Sequence, residues 1–278
     1  MRLILPDNRN VVPVTLPEVA KKLQDIYKIN VEDPVSTTEY QDGEFVVREW
    51  FRHWIDLSQF SHAYYMGDGI TKAIDLTKLE LQEPWGMLQG DYEWPLAFGS
   101  NKRKRNIDQL TEGVNYLTQP FAGSGMLWSE QDLLSVQGKL VLDMAYISTC
   151  RPEVISLPDN VDRVFLGASK SLGTPFLRHG WMFTKTAVPA LEMFFKSIRY
   201  FSSFGFRSGI QLYSSVDPML LTEQGFEYQQ KIFDANLEYD LKGHSWLIAN
   251  TTVDVGEHLK RGSCYRVPLG LTIKQMLL

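Results

Sequence analysis

Short apolar runs alternate along the chain with stretches in which apolar residues recur every three or four positions. Each run has the length of a buried strand, and the intervening spacing is typical of amphipathic helices. The predicted strands cover residues 62–66, 84–88, 113–118, 139–145, 162–167 and 179–184. This alternation predicts an α/β fold with a mostly parallel central sheet and helices on both of its faces.

Helical periodicity also extends toward both ends of the chain. Helix starts are indicated at Ile70 and at Ser129. At Ser129 the serine precedes acidic residues in favourable capping order. After the strand at 179–184 the chain is predicted to be strongly helical, and short β-like runs follow near its end. The longer predicted helices cover residues 16–27, 44–55, 187–200 and 218–241, with a polar connection over 30–43.

The charge balance argues against a nucleic-acid binder. The 278 residues carry a formal net charge of −5, whereas such proteins present a basic surface. The basic residues Lys102 to Arg105 form a cluster within a polar stretch, NKRKRN, which we interpret as a solvated loop.

The cysteine content and the hydropathy of the chain indicate the cellular compartment of the protein. Cys150 and Cys264 form neither a metal-ligand spacing nor a disulfide framework, which fits a reducing environment without a metal site. No apolar run approaches the roughly 20 residues needed to span a bilayer, and the amino terminus lacks a signal-peptide core. We therefore expect a cytoplasmic protein that does not bind membranes.

The segment from Phe165 to Trp181, FLGASKSLGTPFLRHGW, carries the clearest candidate chemistry. Lys170 follows a buried strand among small residues, where a partly desolvated amine can react with a carbonyl. Arg178 offers a planar fork of donors suited to phosphate. A lysine for an aldehyde and an arginine for a phosphate are what pyridoxal 5'-phosphate (PLP) requires, although two unrelated surface charges would show the same spacing.

Two further strand ends carry polar groups. Gly67-Asp68-Gly69 follows the strand at 62–66 and precedes a helix, so the free N–H groups and the helix dipole form a potential anion site or simply a turn. Asp143 ends a buried strand, where a carboxylate needs a cationic or donor partner. A protonated pyridine nitrogen is one such partner, and a nearby arginine such as Arg151 is another.

The aromatic residues and the last arginine leave alternatives open. An aromatic in the loop of residues 89–94 either covers a flat cofactor ring or packs at an interface or in the core. The aromatic residues of 44–55 fit a helix packed on the core or on another subunit. Arg266, in an apolar strand, either extends to water or binds an anion.

Taken together, these motifs resemble the fold-type I PLP-dependent aminotransferases of class I/II, over residues 35 to 270. GASKSLGTPFLRHGW resembles the family's lysine segment, and LVLDMAY resembles its strand ending in Asp-Glu-x-Tyr. MGDGITKAIDL, YEWPLA, YQDGEFVVREW and SCYRVPLG resemble further family motifs in the same order. The resemblance implies an aspartate aminotransferase-like fold, PLP as cofactor and a homodimer with shared active sites.

The resemblance also implies roles for single residues. Lys170 would form the Schiff base, Asp143 would contact the pyridine nitrogen, and Tyr146 would contact the phenolic oxygen of the ring. Arg266 would bind the substrate's α-carboxylate, and Tyr40 would reach the phosphate of the partner subunit. The remaining cofactor contacts would come from Gly69, Ile70, Thr71, Ser169, Arg178 and an aromatic, with Trp94 as the first choice and Tyr92 as the alternative.

Two departures from the family pattern stand out. Ala122 occupies the position of the asparagine that usually contacts the phenolic oxygen. The chain is also short for the family, mainly after residue 205. The predicted organisation is an N-terminal arm and helix over 1–35, a PLP-binding large domain over 36–205 and a reduced C-terminal small domain over 206–278.

The motifs predict a PLP-dependent enzyme acting on an amino acid, first of all an aminotransferase that also uses a 2-oxo acid. Other PLP reactions stay open, including those of a cyclase, lyase, racemase or decarboxylase. A non-catalytic relative that keeps the fold as a binding or scaffold protein is a further alternative. The substrate amino acid does not follow from the sequence.

Overall fold

A computed structural model describes residues 2–7, 10–26, 28–29, 33–97 and 101–278. Within these residues seven strands form the main sheet, and six of them lie within a residue or two of the predicted runs. The sheet strands are β1 (His62–Met66), β2 (Trp85–Leu88), β3 (Asn101–Lys104), β4 (Val114–Thr118), β5 (Lys139–Met144), β6 (Val161–Leu166) and β7 (Gly180–Thr184).

The strand order explains how distant motifs come together. From one edge to the other the order is β1-β7-β6-β5-β4-β2-β3, and only β7 runs antiparallel to its two neighbours. The predicted mostly parallel sheet is therefore confirmed. The carboxyl ends of β1, β4, β5 and β6 meet at one edge of the sheet, where the loops that follow them gather.

Residues 101–104 correct the sequence interpretation of the basic cluster. Instead of a solvated loop they form the edge strand β3, which pairs in parallel with β2 from Asn101 to Lys104. Lys102 and Lys104 lie 3.6 and 3.2 Å from the Glu112 carboxylate, and these charges suit an exposed sheet edge. The prediction failed because a charged edge strand lacks an apolar run.

The α-helices cover both faces of the sheet and the end of the chain. Their bounds are α1 (Pro17–Ile26), α2 (Thr37–Phe51), α3 (Ile70–Leu81), α4 (Glu130–Ser135), α5 (Pro189–Leu191, continuing as a π-helical turn over Glu192–Ser197), α6 (Ser203–Ser215), α7 (Pro218–Asp234) and α8 (Gly270–Met276). The predicted starts at Ile70 and after Ser129 are confirmed. The end of the first predicted helix, Tyr27, lies outside the described residues.

Helix α2 begins seven residues before the predicted start. Ser36 caps it by accepting a hydrogen bond from the N–H of Glu39, and the Glu39 carboxylate accepts one from the N–H of Ser36. This reciprocal arrangement is a capping box. The Glu39 carboxylate also binds Arg207 of α6 at 2.6 Å, so the cap joins two helices.

Other helices differ from the prediction in extent. Residues 187–200 form only the short α5 and its π-helical turn, and α7 ends at Asp234 rather than near Leu241. Helices α6 and α8 were not predicted. Helix α6 approaches α2 closely, because a Cβ on Gly43 would lie 2.5 Å from the Phe206 ring.

The last part of the chain contains a second sheet of four antiparallel strands in the order β10-β11-β9-β8. Its strands are β8 (Lys242–Ser245), β9 (Ile248–Thr251), β10 (Lys260–Arg261) and β11 (Cys264–Pro268). Arg266 lies on β11, opposite Asn250 of β9. Among the described residues, no helix combines the length and the apolar character needed to cross a membrane.

The capping box of α2 gives a first test. Because Ser36→Ala removes one acceptor from the first turn, we expect the free energy of unfolding to fall by about 1 kcal/mol. Urea unfolding followed by circular dichroism measures the change. Ser58→Ala is the matched control, because Ser58 is exposed and lies outside a helix. Equal stabilities of the two variants would contradict the capping role.

Candidate functional site

A cavity of about 340 Å³ opens at the carboxyl edge of the main sheet. It is bounded by the loops after β1, β2, β4, β5 and β6, by the N-terminal segment and by β11. The lining residues are Asn10, Val11, Gly69, Ile70, Thr71, Tyr92, Thr118, Ala122, Asp143, Ala145, Tyr146, Ser169, Lys170, Arg178, His179 and Arg266. Most of the residues predicted from the sequence therefore line one cavity.

Lys170 lies in the loop between β6 and β7. The loop folds back on itself, because the N–H of Leu172 donates to the Ala168 carbonyl at 2.8 Å and that of Thr174 to the Ser169 carbonyl at 2.9 Å. The Lys170 ammonium lies 5.6 Å from the centre of the Tyr146 ring, within cation–π distance. The Lys170 side chain thus lies beside the residue predicted to contact the ring's phenolic oxygen.

At one end of the cavity, Arg178 meets the start of α3. Its Nη2 atom donates a 2.8 Å hydrogen bond to the Asp68 carbonyl, immediately before the helix N-cap Gly69. Gly69 has φ 78°, a left-handed conformation that favours glycine. The free N–H groups of the first turn and the guanidinium together form a site of positive potential suited to a phosphate.

At another point of the wall, Asp143 is buried with 3% of its surface exposed. One carboxylate oxygen accepts a hydrogen bond from the Tyr116 hydroxyl at 2.7 Å, and the other accepts one from the N–H of Ala145 at 2.9 Å. Burial raises the pKa of Asp143 to about 6, although both hydrogen bonds oppose the shift. The guanidinium of Arg151 stacks on Phe226 instead of pairing with this carboxylate.

Between the two candidate aromatics, the structure places Tyr92 and not Trp94 in the cavity wall. Trp94 belongs to a short 3-10 helix, Trp94–Ala97, and its indole N–H donates to the Asp75 carboxylate at 2.7 Å. Trp94 does not contribute to the cavity lining, whereas Tyr92 does. The first choice, Trp94, is therefore wrong as a cavity residue, and Tyr92 stays the predicted aromatic contact of the cofactor.

Tyr40 does not lie where the resemblance placed it. Its ring is 3% exposed and packs on Trp181 and Phe206 of the same chain. Its hydroxyl donates to the Ala63 carbonyl and accepts from the N–H of Tyr65, at 3.2 and 2.8 Å. An interior residue with both hydrogen bonds made within its own chain cannot reach a partner subunit, so the expected interface role is corrected.

Arg266 reaches the cavity from the second sheet. Its Nη1 atom donates a 2.9 Å hydrogen bond to the carbonyl of Ala122, which lies in the turn after β4. The alternative that Arg266 simply extends to water is therefore not what the structure shows. Ala122 itself lines the cavity with a methyl group, so this position offers no side-chain hydrogen bond to a ligand.

A buried histidine was missed by the sequence interpretation. His179 follows Arg178 and is 1% exposed, and burial lowers its pKa to about 4. The Tyr213 hydroxyl lies 3.1 Å from His179 Nδ1 and accepts a 3.1 Å hydrogen bond from the N–H of Ala168. The contact between His179 and Tyr213 therefore helps to hold Ala168, near the start of the lysine loop. Only the three-dimensional packing of α6 reveals this link.

Comparisons with known proteins identify the fold. No family model and no curated protein sequence matches the chain. The PLP complex of histidinol-phosphate aminotransferase from Sinorhizobium meliloti is similar, with a TM-score of 0.67 at 15% identity, over 95% of this chain and 88% of that one. The corresponding enzyme from Clostridium acetobutylicum has a TM-score of 0.70 at 13% identity, over 99% and 98%.

A third similar structure comes from a different reaction class. The PLP-bound C-S lyase from Staphylococcus hominis, complexed with L-cycloserine, matches with a TM-score of 0.69 at 12% identity, over 99% of this chain and 90% of that one. The chain therefore has the fold shared by PLP-dependent aminotransferases and C-S lyases. At this level of identity the likeness establishes the fold and leaves the reaction to the site itself.

The buried Asp143 predicts an unusual pH dependence of stability. Because burial raises its pKa from 3.8 to about 6, the charged form destabilises the folded state by about 3 kcal/mol at most. This loss of folding stability develops as the pH rises from about 4 to about 6. We expect Asp143→Asn to raise the unfolding free energy of the protein without added ligand by about 1–3 kcal/mol at pH 7.5, and less at lower pH.

Urea unfolding of wild type and variant at a series of pH values measures this difference. Asp108→Asn, at an exposed position of a short 3-10 helix, controls for the loss of a surface charge. A stability difference for Asp143→Asn that stays constant between pH 4.5 and 7.5 would contradict the effect of burial.

Proposed function

We propose that this protein is a PLP-dependent enzyme that acts on an amino acid, and that its reaction is transamination. The observation that carries the proposal is the content of one cavity. Lys170, an anion site formed by Gly69 to Thr71 with Arg178, and the buried carboxylate of Asp143 line the same cavity. A flat cofactor with an aldehyde, a phosphate and a basic ring nitrogen matches these three groups.

The residues also fit PLP by charge. Asp143 accepts hydrogen bonds from two neutral donors, and burial keeps its pKa raised although these hydrogen bonds and the charge of Lys170 oppose the shift. A protonated ring nitrogen would supply the missing positive charge. The proposed phosphate site is also in place, because Arg178 is already hydrogen-bonded at the start of α3. The cavity thus offers positive groups for the phosphate of the cofactor and a carboxylate for its ring nitrogen.

When bound, PLP supplies an electron-withdrawing ring that weakens the bonds at the substrate's α-carbon. The protein's part is to hold that ring and to move protons. Lys170 Nζ would take the α-proton from the substrate and return it on the cofactor side, as a general base and then a general acid. Asp143 would keep the ring nitrogen protonated, and Tyr146 would donate to the phenolic oxygen.

Arg266 would determine which bond breaks. A guanidinium binds a carboxylate in a planar, two-point geometry, which orients the α-carbon of the substrate. Its hydrogen bond to the Ala122 carbonyl fixes the guanidinium at the cavity wall. With the carboxylate held there, loss of the α-hydrogen is favoured over loss of the carboxylate as carbon dioxide.

A lyase reaction is the second candidate function. The methyl group of Ala122 offers no hydrogen bond to the ring's phenolic oxygen, which leaves Tyr146 as the donor in our proposal. One similar structure is a C-S lyase. Both reactions begin with removal of the α-proton, so the residues assigned here serve either one. A scaffold role is disfavoured because the ionisable residues of the site are assembled in one cavity.

The cofactor assignment has a direct test. Purified protein incubated with PLP should gain an absorbance band in the visible range, and borohydride should attach the cofactor covalently to the peptide that contains Lys170. We expect Lys170→Ala to abolish the attachment, because Lys170 is the one lysine among the described residues that line the cavity. Lys139→Ala, at the exposed start of β5, is the control and should retain it. Protein that takes up no PLP overturns the proposal.

The substrate contact is tested separately. Arg266→Gln should raise KM for the amino acid at least tenfold, because a hydrogen bond to a charged group contributes about 1.5–3 kcal/mol. The affinity of Arg266→Gln for PLP should stay within about twofold of the wild-type affinity. Steady-state kinetics with a panel of amino acids, together with product identification, measures both and separates transamination from elimination. Lys260→Gln on the neighbouring strand serves as the control, and an unchanged KM in Arg266→Gln would contradict the assignment.

A further inference from the structure

Asp91 is a second buried carboxylate beside the cavity, and the proposed reaction leaves it without a role. It follows the turn residue Gly90 after β2 and is 4% exposed. It does not line the cavity itself, but its neighbours Tyr92 and Thr118 do. A buried carboxylate is costly unless it accepts several hydrogen bonds, so its contacts indicate what it stabilises.

The contacts of Asp91 join two loops. One oxygen accepts a 2.7 Å hydrogen bond from the N–H of Tyr92 and another from the Thr118 hydroxyl. The second oxygen accepts from the N–H of Thr118 at 3.2 Å. The carboxylate thus connects the end of β4 to the loop after β2, which carries the aromatic ring of the cavity.

The connection continues to the substrate side. The Thr118 hydroxyl accepts a 2.7 Å hydrogen bond from the N–H of Ala122, whose carbonyl accepts from Arg266. In the sheet, Thr118 lies directly opposite Asp143 of β5. Asp91 therefore links three parts of the site. These are the loop that carries Tyr92, strand β4 beside Asp143, and the turn at Ala122 that binds Arg266.

We propose that Asp91 is a positioning residue that holds Tyr92 against the cofactor ring and keeps the Ala122 turn in place; this inference rests on the proposed PLP function. Its charge matters because a carboxylate accepts all three hydrogen bonds, whereas an asparagine would direct amide hydrogens at one of the donors. The volume of the side chain would stay nearly the same. Asp91→Asn therefore changes the hydrogen bonding while leaving the packing intact.

The electrostatic surroundings are consistent with this role. Burial raises the pKa of Asp91 to about 7, and the nearby Asp143 contributes in the same direction. The ionisable groups that interact with it also include Tyr116, whose own pKa is raised well above its usual range. A cationic ring bound at Asp143 would favour the charged form of both carboxylates.

The first experiment needs no cofactor. Amide hydrogen exchange of Asp91→Asn and of the control Asp108→Asn is compared with wild type at pH 8, above the pKa of about 7 of Asp91. We expect at least about tenfold faster exchange at the amides of Tyr92, Thr118 and Ala122 in Asp91→Asn, with the control unchanged. Unchanged exchange at these amides overturns the positioning role, whether or not the protein binds PLP.

A second readout connects Asp91 to the cofactor. PLP titration should show about tenfold weaker binding for Asp91→Asn, and the double variant Asp91→Asn/Tyr92→Ala should bind no more weakly than Tyr92→Ala alone. Such non-additivity is expected if Asp91 acts through Tyr92. Fully additive losses overturn this part of the inference. If wild type binds no PLP while the exchange rates respond, the proposed function fails and the link between the two loops stands.

A pair of variants at Thr118 keeps the test decisive if Asp91→Asn does not fold. Thr118→Ser retains the hydroxyl that joins Asp91 to Ala122, and Thr118→Val replaces it with a methyl group of similar size. We expect faster exchange at Ala122 and weaker PLP binding in Thr118→Val only. Equal behaviour of the two variants contradicts the hydrogen-bonded connection.

Discussion

The site depends on one costly feature, the buried carboxylate of Asp143. Its two oxygens accept hydrogen bonds from Tyr116 and Ala145, which are neutral groups, so the negative charge is stabilised only in part. A protein tolerates such a group when a cationic ligand completes it. In our account the ring nitrogen of PLP is that ligand, and this carboxylate and Lys170 line the same cavity.

The sheet topology explains why a lysine, an arginine and an anion-binding turn lie together. Strands β6 and β7 are antiparallel neighbours, so the loop between them leaves and re-enters the sheet at the same edge. Strand β1 pairs with β7, with Met66 opposite Gly180. The turn that starts α3 therefore lies beside Arg178, although more than a hundred residues separate them in the chain.

Parts of this arrangement could be predicted from the sequence because they depend on local patterns. Buried parallel strands appear as apolar runs, and the lysine loop has a motif of its own. The capping box at Ser36 is also a local pattern, because Glu39 follows the serine by three positions. By contrast, the contacts of Asp91 with Thr118 depend on the register of β2 against β4 and on the loop after β2. The buried position of Tyr40 depends on its packing against α6, which no local pattern specifies.

A structure of the protein determined in the presence of PLP tests the central claim most directly. The account predicts the phosphate at the N–H groups of Ile70 and Thr71 with Arg178 beside it, the aldehyde carbon joined to Lys170, and the ring nitrogen within hydrogen-bond distance of Asp143. PLP bound with its phosphate elsewhere, or a ring nitrogen that does not contact Asp143, would contradict it.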